Sequence, residues 1–408
     1  MLAPERRTRA DIIAAIGIAV AVLLAAVVVW ARGDATGTES VTAAEPATTP
    51  SAAVELPTSL RELWHAPDDA SERALVAGGA VVTASDGTVT GRDPETGAEL
   101  WHYRRDMPLC GVEAQFGMVV AVYRDQRGCS QATMLSGNDG ARRTARSSYM
   151  DDEVRLSVDG TYLLAQGEDR LEMWRSDLVR TVEYGYVDAP VNVKTQPRKG
   201  CTLLSAASSS SRLAVLESCP DDAATRLTVM NPSPKDNTVP EEYGSHVLTG
   251  PDAQARDAKV VAVSDSKILL YQPGADLGSE SVPPRLSVFD GNGNPLATYE
   301  LAAPMDDPRT ARVGSVSLVH TGSELIALNS ATFEPQWTLP GAIGTPAAMA
   351  TRLLVPVRDA VVAVDLVTGA EVARIPVDRS ADADADISLA VLGEIVLEKR
   401  GDTLYALG

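Results

Sequence analysis

The 408-residue chain carries a formal charge of −19, and 45% of its residues are hydrophobic, which is enough to bury a large core. Three arginines against Glu5 and Asp11 give residues 1–30 a charge of +1, so residues 31–408 carry −20. Because nucleic acid and anionic lipid repel so acidic a domain, a nucleic-acid partner is excluded, and neutral or cationic ligands or other proteins are expected.

Near the N-terminus, residues 12–30 form a run of 19 residues without a charge. At about 1.5 Å per residue, such a helix spans roughly 28 Å, close to the thickness of the hydrocarbon core of a bilayer. The arginines before it predict a cytoplasmic tail at residues 1–11 and an extracytoplasmic chain after Trp30, in a single-pass protein of the cell membrane. A cleaved signal peptide is the alternative, disfavoured because the apolar run is longer than signal sequences need.

The next segment, residues 31–57, is rich in Thr, Ala, Ser and Pro and has no hydrophobic periodicity. This composition predicts a flexible extracytoplasmic linker that spans roughly 25–30 Å. The folded domain is therefore expected at residues 58–408, held away from the lipid surface.

Residues 81–105 (VVTASDGTVTGRDPETGAELWHYRR) combine short runs of β-forming residues with two tight turns. Asp86-Gly87 is typical of a hairpin between two strands. In the second turn, Asp93 begins the turn and Gly97 occupies the position where φ is positive, after which a strand carries Trp101. This unit predicts two consecutive β-hairpin connections.

The same unit recurs along the chain. Residues 365–372 (DLVTGAEV) repeat the D-x-x-T-G-A-E pattern of residues 93–99, and Glu-Leu-Trp-His occurs at 62–65 and again at 99–102. Weaker copies lie at 290–299 and 329–337. Repeats of about 40 residues built from short strands predict a β-propeller, because one blade cannot cover both of its faces alone.

These repeats resemble those of the pyrroloquinoline-quinone (PQQ) type, the quinoprotein dehydrogenase-like β-propellers, whose blades carry A-x-D-x-x-T-G-x-x-x-W; residues 91–101 match it best. The resemblance implies a shared repeat turn, with matching residues at Asp93, Thr96, Gly97, Asp365, Thr368 and Gly369. It also implies that one tryptophan in each of three blades docks on the next blade, these being Trp64, Trp101 and Trp337.

Quinone-dependent members of this family carry adjacent cysteines, a tryptophan platform and a calcium site. The present chain has no adjacent cysteines. Neither PQQ nor calcium is therefore expected, and the chain is placed in a membrane-anchored, non-enzymatic branch of the family.

Eight segments have the pattern of the third strand of a blade and predict an all-β, eight-bladed propeller: 88–93, 131–136, 170–174, 226–231, 285–290, 324–329, 361–365 and 403–407. Seven blades is the alternative, because residues 301–317 make a poor first strand. Two wider spacings predict insertions around 188–199 and 232–258. Residues 61–65 are expected to close the ring by pairing with residues 403–407, which removes two exposed sheet edges.

The four cysteines form two pairs of similar spacing, Cys110 with Cys129 and Cys201 with Cys219. Each pair brackets a strand, a turn and a second strand, and antiparallel pairing brings the ends of a hairpin within disulfide range. Two disulfides, Cys110–Cys129 and Cys201–Cys219, are predicted for an exported domain. Four free buried thiols are the alternative.

The sequence nominates no catalytic, cofactor-binding or metal-binding residue. His65 and His102 occupy equivalent repeat positions, which favours surface histidines over a metal pair. Asp382, Asp384 and Asp386 alternate with alanine, but Ile387 stands where a calcium loop needs glycine, so an acidic connector is predicted.

These observations predict a protein-binding or cell-envelope scaffold that uses the two insertions as contact surfaces. A quinoprotein-type oxidoreductase or a small-ligand sensor is the alternative.

Overall fold

The computed structural model describes residues 8–33, 36–276, 278, 281–379 and 385–408. The first seven residues of the predicted cytoplasmic tail, together with Asp382 and Asp384, lie outside the described residues. Helix α1 (Arg9–Arg32) begins with a capping box, in which Thr8 and Asp11 each bond to the other's backbone N–H. Its apolar stretch is long enough to cross a membrane, and none of it is buried against the rest of the protein.

The remaining chain folds into an eight-bladed β-propeller. Two strands, β1 (Thr38–Val41) and β2 (Glu62–Pro67), precede the first complete blade. Blade 1 then contains β3 (Leu75–Ala77), β4 (Ala80–Ser85), β5 (Thr88–Arg92) and β6 (Glu99–Arg105). Blade 2 contains β7 (Leu109–Gln115), β8 (Met118–Asp125), β9 (Gly128–Ser136) and β10 (Arg142–Ser147).

Blades 3 to 5 repeat this plan. Blade 3 contains β11 (Arg155–Val158), β12 (Leu163–Gln166), β13 (Arg170–Trp174) and β14 (Arg180–Gly185). Blade 4 contains β15 (Thr202–Ser208), β16 (Leu213–Ser218), β17 (Arg226–Met230) and β18 (Glu242–Val247). Blade 5 contains β19 (Lys259–Val263) and β20 (Lys267–Gln272), a small hairpin of β21 (Ala275–Asp276) and β22 (Ser281–Val282), and then β23 (Arg285–Asp290) and β24 (Pro295–Glu300).

The last three blades complete the ring. Blade 6 contains β25 (Arg309–Val313), β26 (Val316–His320), β27 (Glu324–Asn329) and β28 (Pro335–Pro340). The short β29 (Gly344–Thr345) belongs to the sheet of blade 8 and precedes blade 7, which contains β30 (Ala347–Met349), β31 (Arg352–Val357), β32 (Ala360–Val364) and β33 (Glu371–Pro376). Blade 8 contains β34 (Ile387–Leu392), β35 (Ile395–Arg400), β36 (Thr403–Leu407) and, as its outer strand, β2.

The count of eight blades is confirmed, and the alternative of seven is wrong. Residues 301–317 contain β25, which pairs antiparallel with β26 as the first strand of blade 6. Its alternating, partly exposed residues include Arg309 and Arg312, because this strand faces the centre of the ring instead of being covered on both sides. Because of these polar residues, the sequence of residues 301–317 does not have the apolar pattern of a buried strand.

Blade 8 joins the two ends of the propeller domain. Strand β2 pairs antiparallel with β36, with His65 opposite Tyr405 and Ala66 opposite Leu404. Arg61 and Gly408 extend this ladder by exchanging backbone hydrogen bonds of 3.0 Å in both directions. The ring is therefore closed by backbone hydrogen bonds between segments about 340 residues apart.

The core lies between neighbouring blades, where residues from both faces of each sheet are buried. One cluster joins blades 1 and 2 and includes Trp101, Tyr103, Tyr123 and Leu135. The middle strands of the blades, the second and third, are accordingly mostly apolar, and all five residues of β32 (AVVAV) are buried. Close stacking of small aliphatic side chains explains how a chain with only 4% aromatic residues fills eight interfaces.

The ring has two faces, which we name by their turns. The upper face carries the turns between the second and third strands and the connections between blades, and the lower face carries the other turns. Both disulfides lie at the upper face, where Cys110–Cys129 and Cys201–Cys219 each have an S–S distance of 2.05 Å. The two predicted disulfides are confirmed.

The insertions differ in part from the prediction. Residues 186–201 form a long connection between blades 3 and 4, but the range 232–258 is divided by β18, the outer strand of blade 4. A third insertion, at residues 273–284, holds the β21–β22 hairpin and was not predicted. It lies at the upper face, between the second and third strands of blade 5.

The segment predicted as a flexible linker lies against the propeller. Strand β1 adds to blade 1 as a fifth strand by pairing with β6. Ala43 and Ala47 then donate backbone hydrogen bonds to Asp139 (3.0 Å) and Asn138 (2.9 Å) at the lower face, and Leu56 packs against the core of blades 7 and 8. We call residues 42–57 the strap, because they cross the lower face from blade 2 to blade 8.

Candidate functional site

The three tryptophans named from the repeat lie at joints between consecutive blades. The indole N–H of Trp64 donates to the carbonyl oxygen of Pro94 at 3.0 Å, and that of Trp101 donates to Gly137 at 2.8 Å. Trp337 donates to Leu366 at 3.1 Å. Each tryptophan on an outer strand thus bonds to the lower-face turn of the following blade.

The repeat turns form the surfaces on which these rings rest. The carboxylate of Asp93 accepts hydrogen bonds from the backbone N–H and the hydroxyl of Thr96, at 2.9 and 2.8 Å, and Asp365 accepts both bonds from Thr368. Gly97 then adopts a φ of 70° and lies so close to Trp64 that an added Cβ would come within 2.6 Å of the ring. The turn therefore needs glycine for its conformation and for the approach of the ring.

Two further joints use donors that the sequence pattern did not reveal. At the joint between blades 2 and 3, the guanidinium of Arg146 donates to the carbonyl oxygen of Leu178 at 2.9 Å. At the joint between blades 4 and 5, the ring of His246 lies 3.0 Å from the carbonyl oxygen of Asn292. Arg146 and His246 both reach the lower-face turn of the following blade, as the tryptophans do, but each lies two residues further along its outer strand. Thr144 and Gly244 occupy the strand positions equivalent to Trp101. No shared motif therefore marks Arg146 and His246.

The repeated Glu-Leu-Trp-His tetrapeptides each form a local pair. His65 lies 2.7 Å from Glu62, and His102 lies 2.5 Å from Glu99. His102 also lies 3.5 Å from Glu39 on β1, so it connects the added strand to blade 1. Hydrogen bonding to Glu99 raises the pKa of His102 above its ordinary value.

Charged side chains meet across the central channel at the upper face. Arg155 of blade 3 lies 3.3 Å from Glu72, which precedes β3 of blade 1, and Arg309 of blade 6 lies 3.0 Å from Asp386, which precedes β34 of blade 8. Both ion pairs join blades that are not neighbours. Lys259 lies 2.6 Å from Asp307, so ion pairs occupy the upper mouth of the channel.

Burial opposes the charge on Asp307, but Lys259, Arg155 and Arg309 together hold the pKa of Asp307 below its usual range. Residues from blades 3, 5 and 6 therefore act on one carboxylate. The mouth behaves as a single charged network, in which each ion depends on partners from other blades.

A different carboxylate, Glu217, is buried beside the second disulfide. Burial raises the pKa of Glu217, while Thr228 and Tyr184 donate hydrogen bonds to it at 2.6 and 2.9 Å. Cys201, Glu217 and Cys219 are, within the described part of the chain, the one group of three side chains placed closely enough to share a metal ion. The sulfurs of Cys201 and Cys219 are bonded to each other in the disulfide, so this group has no thiolate to bind a metal ion.

The donor set does not fit a PQQ and calcium centre. The channel mouth holds arginine and lysine side chains already paired with carboxylates, and Trp64, Trp101 and Trp337 bond to outer turns, away from the channel.

The first and second insertions contact each other along the outer edge of blades 3 and 4. We call residues 186–199 and 231–241 the insert surface. The side-chain amide of Asn192 donates to the hydroxyl of Thr238 at 2.8 Å, and Thr195 donates to the backbone oxygen of Thr238 at 3.1 Å. Arg198 donates to Ser245 on β18 at 2.7 Å, which fixes the end of the first insertion to blade 4.

Apolar side chains of the insert surface are exposed to solvent. Val191 and Val193 flank the anchored Asn192, and 80% and 75% of their surfaces are accessible. Tyr186, Val239 and Tyr243 are also exposed large hydrophobic residues on or beside these segments. Exposed apolar side chains held by a hydrogen-bonded frame are typical of protein-binding surfaces.

No protein-family model and no curated protein matches the sequence. Solved structures are similar in fold. The chain is similar to the computationally designed Ika8 protein (13% identity, 89% of this chain and 99% of that chain, TM-score 0.52) and to Sqt1 from Saccharomyces cerevisiae (9% identity, 90% and 99%, TM-score 0.52). BamB from Moraxella catarrhalis also aligns (15% identity, 85% and 97%, TM-score 0.47). At these identities, the likeness shows the propeller fold alone.

Proposed function

We propose that this protein is a single-pass membrane protein whose propeller lies outside the cytoplasmic membrane and binds another protein through the insert surface. The observation that carries the proposal is the exposure of Val191 and Val193 on either side of the anchored Asn192. A partner that covers both valines would gain about 1.5 kcal/mol or more from each of them.

Helix α1 and the disulfides support the location. The helix is apolar enough to cross a bilayer, and arginines precede it, which favours a cytoplasmic N-terminus. Disulfides persist in oxidising compartments and are rare in the cytoplasm. An extracytoplasmic propeller satisfies both observations.

The chemistry of the partner follows from the surface. The first insertion carries Lys194, Arg198 and Lys199 against Asp188, and the second carries Lys235 against Asp236 and Glu241. The insert surface therefore has a charge of +1, although residues 31–408 as a whole carry −20. A protein segment that offers apolar side chains with nearby carboxylates would complement it. We also propose that binding needs neither PQQ nor calcium and that nucleic acid is not a partner.

The test replaces the two valines by aspartate in the full-length chain. A photoreactive amino acid at residue 188 of otherwise wild-type protein, crosslinked in intact cells, identifies the partner by mass spectrometry. Val191→Asp with Val193→Asp should weaken binding of that partner at least tenfold, because truncated hot-spot contacts typically cost more than 1 kcal/mol.

The matched control is Val367→Asp with Val372→Asp, at a turn and the following strand of blade 7, where the valines are 73% and 52% exposed. It adds the same two negative charges at distant apolar positions. Equal loss of binding in this control, or full binding by Val191→Asp with Val193→Asp at an unchanged melting temperature, would contradict the proposal.

A further inference from the structure

The outer strand of each blade has one edge that faces away from its own sheet. Backbone N–H groups alternate in direction along a strand, so every second one points to this edge. In blade 1, Arg105 donates its backbone N–H to Gly87 of its own sheet, and Arg104, the residue before it, therefore directs its N–H outward. We call the place of Arg104 the edge position. An unpaired outward edge can accept a further strand.

Three neighbouring blades carry proline at the edge position. These residues are Pro340 in blade 6, Pro376 in blade 7 and Pro67 in blade 8, and in each case the next residue donates its backbone N–H inward, as Arg105 does in blade 1. Proline has no N–H to offer to an added strand, and it occurs in sheets mainly where an edge has to stay unpaired. The outer edges of blades 6 to 8 are therefore closed to further pairing.

Two other outer edges are covered by segments of the chain itself. Strand β1 pairs with β6 of blade 1 and places Glu39 opposite Arg104. In blade 3, the backbone N–H of Glu183 on β14 donates to the carbonyl oxygen of Asn237, in the second insertion, at 3.0 Å. The protein thus shows directly that an extended segment can add to an outer strand of this propeller.

The outer edge of β10 in blade 2 is open. Ser148 donates its backbone N–H inward to Ser130 at 3.1 Å, so Ser147 holds the edge position, and Ala145 points the same way. Both residues are exposed. In the residues that the structure describes, their outward backbone groups pair with no other segment.

Charge distinguishes β10 from β18 and β24, the two other outer strands that have neither a proline at the edge position nor a covering segment in the described structure. β10 (RRTARS) contains three arginines and no carboxylate, whereas β18 (EYGSHV) and β24 (PLATYE) each contain one glutamate and no lysine or arginine. Arg146 is engaged with Glu172 at 3.0 Å. Arg142 and Arg143 are exposed, and the ion pair from Arg143 to Asp139 measures 4.0 Å.

We propose that β10 is the docking edge for an extended, acidic segment of a partner protein, which adds to blade 2 as β1 adds to blade 1. Backbone pairing supplies the affinity for such a strand, and its side chains supply the specificity. Glu39 of β1 shows the matching chemistry, since it lies opposite Arg104 and 3.5 Å from His102. β10 belongs to neither segment of the insert surface, so this docking edge goes beyond the function proposed above.

The experiment uses the full-length protein in neutral detergent and a synthetic peptide with the sequence of residues 36–43 (TGTESVTA), the acidic segment that the structure shows on such an edge. Fluorescence anisotropy of the labelled peptide measures its Kd. At twice the Kd or more, hydrogen exchange of the β10 amides should slow at least about threefold, because bound peptide protects them. The same peptide with Glu39→Lys should bind more weakly, since Arg142 and Arg143 repel lysine.

Ser147→Pro should weaken peptide binding at least about tenfold, because it places at the edge position of blade 2 the residue that closes blades 6 to 8. Those blades show that the fold accepts proline there. Ser147→Ala is the control, since alanine keeps the backbone N–H and loses only the hydroxyl, which accepts a hydrogen bond from Gln131. Arg142→Gln should weaken binding about two- to fivefold, as expected for an exposed ion pair.

Glu300→Pro is the matched control on another blade, because Glu300 holds the edge position of β24 and Leu301 donates its backbone N–H inward. It should leave the Kd unchanged. Equal weakening by Glu300→Pro and Ser147→Pro would show that the arginines do not select the edge, and the proposal would be wrong. It is also wrong if the peptide does not slow exchange in wild-type β10, or if Ser147→Pro binds as tightly as Ser147→Ala.

Discussion

Single residues determine how tightly each blade is attached to the next. Trp101 is fully buried and donates a hydrogen bond of 2.8 Å to the carbonyl oxygen of Gly137. Because the ring and the bond connect different blades, Trp101 stabilises the arrangement of the blades as well as the blade that carries it.

Trp101→Phe should lower the free energy of unfolding by about 1–3 kcal/mol, because phenylalanine fills much of the space but leaves the Gly137 carbonyl without its buried partner. Denaturant unfolding monitored by circular dichroism measures the change. Trp337→Phe is the comparison, since Trp337 makes the equivalent bond but is only partly buried. An equal loss of unfolding free energy in both variants would show that the burial of the indole does not determine how much the substitution destabilises the protein.

Individual joints were predictable only where the residue type repeats. The D-x-x-T-G pattern and the tryptophans are visible in the sequence, since the turn needs a short carboxylate, a hydroxyl and a glycine in fixed order. Arg146 and His246 bond to the corresponding turns at other joints, but they lie two residues further along the outer strand than the tryptophans and share with them only an N–H group. A pattern search cannot group these residues, because both the residue type and the position in the repeat differ.

At the scale of elements, β1 and the strap show most clearly where tertiary structure overrides composition. Thr38–Val41 has one apolar residue in four and is nearly all exposed, so its own sequence gives little reason for a strand. The exposed edge of β6 supplies hydrogen-bond partners, and that pairing orders β1. The same reason explains why the insertion at 273–284, with its two-residue strands, was not predicted.

The attachment of β1 should depend on pH through His102, which lies between Glu99 and Glu39. Its pKa is raised in the folded protein, so the stabilisation is fully present below the unfolded pKa of about 6.5 and is lost as pH rises through the folded value. Hydrogen exchange of the β1 amides should therefore be slower at pH 6 than at pH 8.5, after correction for the intrinsic rate.

His102→Gln should remove this pH dependence, whereas His65→Gln should keep it, because His65 pairs with Glu62 within β2. Corrected exchange rates that show the same pH dependence in His102→Gln as in wild type would rule out His102 as its source. Slow hydrogen exchange of the β1 amides at either pH would also show that β1 is ordered and is not part of a flexible linker.

At the scale of the whole molecule, the architecture was predictable because a propeller repeats its signal eight times. Each third strand is a short run of β-forming residues followed by a turn residue, and all eight occur at the predicted positions. Errors in single segments, such as the polar β25, therefore did not change the prediction of the fold.

The insert surface was predictable only in part. Its position along the chain follows from the wider spacing between blades. The exposure of Val191 and Val193, however, depends on the hydrogen bond that anchors Asn192, and the sequence does not show that bond.

Closure of the ring by β2 and β36 allows a direct test of the complete architecture. His65 and Tyr405 are directly opposite each other in the antiparallel ladder, and their ring centres lie 5.5 Å apart. Opposite residues in such a pair have Cα separations of about 4.5–5.5 Å, which a disulfide can bridge. His65→Cys with Tyr405→Cys should therefore form a disulfide on oxidation, detected as faster migration in non-reducing electrophoresis.

The new disulfide would join positions 340 residues apart, so it should raise the free energy of unfolding by up to about 5 kcal/mol over the dithiol form. The dithiol form of the same variant is the control for the two substitutions, provided that the reductant is too weak to open the native disulfides. Each single variant controls for unwanted pairing with the native cysteines. Failure of the double variant to crosslink while it remains folded would mean that β2 and β36 are not neighbours in solution, and the ring would then be open at blade 8.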